Sequence, residues 1–276
     1  MKKYKCLVVL LLLVQLGKAQ EGSLEVETTS PFVLGKTIEV YSKQLKEYRK
    51  LNVYFPNGYR EDRVSNYPVI YLLDGSAEED FIHIAGLLQF ANYPWVNYAP
   101  QAILIGIENV DRKRDFTFPT RNIEDKKDFP TTGGSVSFMN FLEYELQPFV
   151  KEHYSQNDTS IIIGQSLGGL LATEILLKRP FLFSHYIIVS PSLWWDDESL
   201  LKGKPQSLKD EKKVYIAVGE EGEVMERTAK ELVEKLAHDT QKCTVNIDHI
   251  EQHNHANILH LAVYKGFRKM FSSKDK

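Results

Sequence analysis

Cysteine is scarce in this chain of 276 residues, which contains 2, Cys6 and Cys243. An internal disulfide framework is excluded once Cys6 is removed with the N-terminal segment discussed below, so the core must be held by burial. Basic charge is not in excess either: 34 Lys+Arg stand against 37 Asp+Glu, a formal charge of −3. Without a basic stripe interleaved with aromatics, nucleic acid and other polyanions are poor partners. The 11 Pro and 16 Gly form no low-complexity block, and no repeat at solenoid or propeller spacing occurs. Beyond the first twenty residues no apolar run is long enough to span a bilayer, so stable membrane insertion is not expected. What the chain does have is 43% apolar and 11% aromatic residues, enough to bury a core and to argue against disorder.

Met1-Lys2-Lys3-Tyr4-Lys5 is a basic start, Cys6–Leu16 is almost wholly apolar, and Gly17-Lys18-Ala19 supplies small residues. That is the layout of a secretory leader, cut after Ala19. About 11 apolar residues fall short of the ~20 that a membrane span needs. Cleavage removes four lysines and no acid, taking the formal charge from −3 to −7, and leaves Cys243 as the remaining thiol. The expected location is periplasmic or secreted.

Period-2 and short apolar runs predict eight strands: Thr37–Ser42, Lys50–Phe55, Val69–Leu73, Ala102–Ile107, Ser160–Ile163, Tyr186–Val189, Val214–Val218 and Thr244–Ile250. The first two read as an antiparallel opening pair. Helical periodicity marks Phe138–Tyr154, Gly169–Lys178, Thr228–His238 and about Ala256–Met270. Strands alternating with helices imply a mostly parallel sheet covered on both faces, an α/β fold. Glu108–Gly134 is long, charged and aperiodic, the mark of a site-building loop. Residues 20–276 read as a single domain.

Within this series, Ile161-Ile162-Ile163-Gly164-Gln165-Ser166-Leu167-Gly168-Gly169 is a strand, a Gly-x-Ser-x-Gly turn and a helix start. Such a turn is strained and tight, its glycines let the two elements cross, and it thrusts the Ser166 hydroxyl clear of the sheet. The Leu167 amide, at the helix N-terminus, would face a developing oxyanion. A second donor is expected from the loop after the third strand, at Gly75 of Asp74-Gly75-Ser76. A hydroxyl needs a base, which in this chain order follows the last strand. His249, His253, His255 and His260 all lie in that region. His255 is the best placed, directly before a helix and beside the small Ala256, with His253 second. The third member should follow the seventh strand, where Glu220, Glu221 and Glu223 compete. Glu221 is favoured, and a site of Ser and His alone stays open. No carboxylate–His cluster of ligand spacing surrounds the histidines, so no metal is expected.

Tyr71-Leu72-Leu73-Asp74-Gly75, Arg112-Lys113-Arg114-Asp115-Phe116-Thr117, the Gly164–Gly169 turn and Ser190-Pro191-Ser192-Leu193-Trp194-Trp195 together resemble the "Putative esterase" (esterase D-like) family of α/β-hydrolases. The pattern is most similar to its trilactone siderophore branch, such as enterobactin and salmochelin hydrolases, and extends from about Thr28 to the C-terminus. The resemblance implies an eight-stranded α/β-hydrolase fold, Ser166 as nucleophile and His255 as base. It also implies an arginine lining the site, for which Arg114 is chosen over Arg112. Trp194 and Trp195 would give flat faces on which an aromatic acyl group stacks. The branch is described as using a Ser–His pair. The sequence departs from the family pattern in two places: Phe118 interrupts Thr-Pro, and the loop after strand seven is shifted by a residue.

The expected function is therefore that of an exported serine esterase working through an acyl-enzyme on Ser166, with no cofactor. Its partner would be a small-molecule ester, with a ferric catecholate siderophore as one candidate; any iron would belong to that ligand. Acetyl or feruloyl esters of carbohydrates are the rival substrates, and a non-catalytic hydrolase-fold binding protein is the rival class.

Overall fold

A computed structural model describes Leu24 and residues 26–272. The expected leader, Met1–Ala19, lies outside the described residues. Chain contacts separate the residues up to Val33 from a unit beginning at Leu34. The described residues of the first part carry no helix or strand.

From Leu34 onward, eight strands form one sheet: β1 (Lys36–Ser42), β2 (Glu47–Tyr54), β3 (Val69–Leu72), β4 (Ile103–Ile107), β5 (Ser160–Gln165), β6 (His185–Val189), β7 (Lys212–Gly219) and β8 (Cys243–Ile250). Their order is β1-β2-β4-β3-β5-β6-β7-β8. The expected opening pair is antiparallel, β2 also runs antiparallel to β4, and every other neighbouring pair is parallel. Every expected strand is present, with ends shifted by a few residues at most. Because β3 lies between β4 and β5, the winding reverses there. The carboxyl ends flanking such a reversal leave a crevice in which open α/β sheets bind ligands.

The helices are α1 (Phe81–Ala91), α2 (Arg112–Asp115), α3 (Ile123–Asp128), α4 (Ser135–Phe141), α5 (Gln147–His153), α6 (Leu167–Lys178), α7 (Trp195–Lys202), α8 (Glu223–Asp239) and α9 (Leu259–Phe271). Strand alternation splits the core in two. Val69 and Tyr71 pack with α4, α6 and α8, whereas Ile70 and Leu72 pack with α1 and α9. Apolar, β-branched strands buried on both faces are what a parallel sheet demands.

Several features differ from the sequence reading, α7 among them, which was not expected. The helix expected over Phe138–Tyr154 is broken by a π-helical turn at Leu142–Leu146. Pro148, which has no amide to donate, lies two residues beyond its end. α1 was not expected, because it is apolar nearly all round: Ile82 and Phe90 are exposed opposite buried Ile84 and Leu88, so no amphipathic contrast marks it. Finally, Glu108–Gly134 is not wholly irregular but holds α2 and α3, each begun by a side-chain cap, Asp111 and Asn122 respectively.

β5 and α6 touch backbone to backbone. A Cβ on Gly164 would lie 2.4 Å from the Gly168 carbonyl oxygen. Gly164→Ala is therefore expected to destabilise by at least the ~1–3 kcal/mol of an overpacked core, seen as a Tm lower by several degrees in thermal unfolding. An unchanged Tm would mean that the crossing has room to spare.

Candidate active site

Ser166 is the one residue between β5 and α6, at φ +59° and ψ −120°. Its carbonyl accepts the first helical bond, from Leu170 at 2.9 Å, and a second bond from the Ser192 amide at 3.1 Å. A non-glycine residue at positive φ is costly and persists only where its surroundings fix it. The Leu167 amide opens the helix and has no hydrogen-bond partner among the described residues.

Glu221 and His255 come together although they are 34 residues apart: His255 Nδ1 lies 2.6 Å from Glu221 Oε2. The end of β7 and the loop after β8 are tied by the bond from the Glu220 amide to the His253 carbonyl, 2.7 Å. This approach is so close that a Cβ on Gly219 would lie 2.3 Å from that same carbonyl oxygen. Asn254 then shapes the turn, its Oδ1 accepting from the Ala256 amide at 3.0 Å. Gln165, the residue before Ser166, donates its side-chain amide to the His255 carbonyl. The loop is thus fastened to the elbow itself.

The Glu221 side chain is 2% exposed and that of His255 46%. Burial pushes the Glu221 carboxyl up, but hydrogen bonds from His255, Ser190 and the Gly219 amide outweigh it and hold the group below the usual glutamate range. An anionic partner on Nδ1 fixes the imidazole tautomer and leaves Nε2 to take a proton. His255 Nε2 has no hydrogen-bond partner among the described residues, and Ser166 Oγ instead lies 3.4 Å from Ser192 Oγ. The other histidines are engaged elsewhere. His253 Nδ1 is 3.1 Å from the Glu251 carbonyl oxygen, His249 pairs with Glu226 at 3.4 Å, and the His260 ring packs on His83.

The loop after β3 departs from expectation. The Gly75 amide, expected as an oxyanion donor, is spent on the Ile107 carbonyl at 3.0 Å. Close approach is the reason for glycine here: a Cβ would lie 2.4 Å from Gly106 Cα. The neighbouring Ser76 amide has no partner among the described residues.

Arg114, expected to line the site, has its guanidinium on Glu47 (2.6 Å) and Asp115 (2.7 Å). These also hold Arg49, which is fully buried. The arginine that reaches the elbow is Arg112. It grips Asp74 through Nε (2.6 Å) and Nη2 (2.9 Å) and reaches the Gln165 carbonyl at 3.3 Å. The two arginines sit on a single helical turn, where positions two apart point about 200° away from each other.

Trp195 is likewise a correction. It is fully buried, donates Nε1–H to the Phe118 carbonyl at 2.9 Å and packs edge-on against Phe129. It is thus a core peg beneath the Glu108–Gly134 segment rather than a wall for a ligand. Trp194 keeps a partly exposed ring, 6.0 Å from that of Phe129. Asp196, Asp197 and Glu198 follow in left-handed conformation, at φ 53°, 53° and 62°. Thr120 and the Arg121 amide bond to Asp196, Asn122 bonds to Asp197, and Arg227 pairs with Glu198. Arg112 was the second choice of the sequence reading, and the hydroxyls of Ser190 and Ser192 are the groups it did not single out. Their only signal was membership of motifs already noticed.

A strained serine opening a helix at the winding reversal of a mostly parallel sheet, with a histidine–glutamate pair fastened beside it, defines an α/β-hydrolase. Residues 42–271 match the family described as "Putative esterase", and the chain belongs to that family of enzymes acting on ester bonds. Among curated proteins it is 29% identical over 232 residues to the ferri-bacillibactin esterase BesA of Bacillus subtilis, covering 76% of this chain and 80% of that one. Among solved structures it resembles the BES protein of Bacillus cereus, with a TM-score of 0.75 and 27% identity, over 91% of this chain and all of that one. An IroE-like serine hydrolase of Shewanella oneidensis gives a TM-score of 0.74 and 28% identity, over 86% and 80% of the respective chains.

Asp80, just before α1, has its carboxyl pushed up to about 6 by burial first and by the charges of Asp74 and Glu79 next, with Arg112 opposing. Between about pH 4 and 6 the folded chain therefore holds a proton that the unfolded chain has lost, and stability falls as pH rises through that window. Asp80→Asn is expected to melt above the parent protein at pH 8, by no more than about 3 kcal/mol, with the gap closing by pH 4. A gap of constant size across that range would show that Asp80 is not the titrating group.

Proposed function

We propose that this protein is an exported serine esterase that opens ester bonds of siderophores of the catecholate trilactone type. Ser166 Oγ attacks the ester carbonyl while His255 Nε2 takes its proton, and Glu221 stabilises the imidazolium. The oxyanion is held by the Leu167 amide and, with Gly75 engaged in the sheet, by that of Ser76. Collapse expels the alkoxide, which takes the proton back from His255. Water then attacks the acyl-enzyme with the same histidine as base, releasing the carboxylate and freeing Ser166. The Ser166 hydroxyl must turn from Ser192 to His255 for the first step; catalytic hydrogen bonds commonly tighten only once substrate is bound.

The observation that carries this reading is the 2.6 Å contact of His255 with a buried glutamate, on a loop fastened to the residue before Ser166. A binding protein without turnover has no use for an oriented base. The substrate class rests on the ferri-bacillibactin esterase relative. Trp194 and Phe129 give a partly exposed aromatic pair suited to a catechol ring.

On a chromogenic aryl ester, Ser166→Ala is expected to abolish turnover and Cys243→Ala to leave it intact, since burial pushes the Cys243 thiol up to about 11 and leaves it inert. Glu221→Gln should lower kcat by roughly 10²- to 10⁴-fold. A hydrolysis panel would compare a catecholate trilactone, with and without iron, against feruloylated and acetylated sugars. Cleavage confined to the sugars overturns the siderophore assignment, and wild-type turnover by Ser166→Ala overturns the mechanism. Export predicts a mature chain beginning at Gln20, read by N-terminal sequencing of the secreted or periplasmic fraction; retention of Met1 there would refute it.

A further inference from the structure

Resting on the reading of Ser166, His255 and Glu221 as the catalytic group, we infer that Ser190 is a positioning residue that aims the Glu221 carboxylate at His255. The two carboxylate oxygens have separate partners. Oε2 takes His255 Nδ1 at 2.6 Å, whereas Oε1 accepts from Ser190 Oγ at 2.5 Å and from the Gly219 amide at 3.0 Å. With Oε1 pinned from two sides the carboxylate cannot rotate, and one oxygen is left to meet the imidazole.

Ser190 has no other evident reason to be serine. It is fully buried, yet its hydroxyl bonds to nothing else among the described residues. It sits at φ +43°, where glycine would be free of strain and a side chain is not. Its amide donates to the Ala217 carbonyl at 2.7 Å, which fixes it on β7, the strand that delivers Glu221. A Cβ held at an unfavourable φ is explained if the hydroxyl it carries is needed. A hydroxyl donated to an anion in a water-poor setting is among the stronger hydrogen bonds, and it holds the carboxylate charged as well as aimed. Pro191 and Ser192 complete the turn, with Ser192 against Ser166, so one three-residue segment touches both ends of the catalytic group.

The test uses steady-state kinetics on a chromogenic aryl ester with the full chain. Ser190→Ala is expected to lower kcat about 10- to 100-fold, with KM changed less than about twofold. Ser190→Gly should lose as much kcat while melting no lower than the parent protein, because glycine relieves the strained φ. A merely structural role predicts the reverse, a lower Tm for both with kcat retained by the folded fraction. In the Glu221→Gln background, Ser190→Ala should cost nothing further, since its effect runs through the carboxylate. The far-downfield proton NMR signal of a His255 Nδ1–H bonded to carboxylate should weaken or move upfield in Ser190→Ala. Wild-type kcat in either Ser190 variant, or the same fold-loss repeated in the Glu221→Gln background, overturns the proposal. Ser166→Ala serves as the separate control: if it retains turnover, the reading of the site has failed on its own account.

Discussion

At the end of β5 the chain must pass into α6 with Gly164 lying against the Gly168 carbonyl, and that contact admits no side chain on Gly164. The turn between them has a single residue in which to reverse direction, so Ser166 is forced to positive φ and its hydroxyl is thrown above the sheet edge. Everything else in the site is arranged around that fixed point. The helix N-terminus points its first free amides at the same place, and β3 and β6, the neighbours of β5, bring their own loops within reach.

Those loops are held by side chains rather than by regular structure. Asp74 takes a bidentate grip from Arg112 and a bond from Asn109, while Arg112 also reaches the Gln165 carbonyl. The same glutamine binds the His255 carbonyl through its side chain. Gln165 is therefore the junction between the loop after β3 and the loop after β8. Its position next to Ser166 means that any shift of the elbow moves both loops together.

Much of this was legible in the sequence. A buried parallel sheet writes its strands as short β-branched runs, and the Gly-x-Ser-x-Gly turn declares itself by spacing, so the eight strands and Ser166 could be read directly. His255 and Glu221 were singled out by chain order and then by neighbours, and their side chains meet at 2.6 Å. The failures have physical causes. α1 is apolar on nearly every side and carries no period. Arg112 and Arg114 are chemically alike, and only the rotation of a helical turn decides which one faces the elbow. Gly75 is a point of close approach to β4 rather than the expected donor, because nothing in a local sequence reveals that its amide belongs to the Ile107 carbonyl. Trp195 looked like a ligand wall because aromatic residues suit both roles, and burial separates them only in three dimensions.

The run of left-handed residues from Asp196 to Glu198 has a further consequence. Each such residue costs about 1–2 kcal/mol, and the bonds that offset this come from Thr120, Arg121, Asn122 and Arg227, on two distant stretches of chain. The contour beside Trp194 is consequently a negotiated settlement among three segments, none of which belongs to the sheet. Mutational drift in any of them can reshape that contour while the catalytic frame stays as it is. A lineage with this architecture can vary the surface beside Trp194 without first having to rebuild the elbow and the loops tied to it.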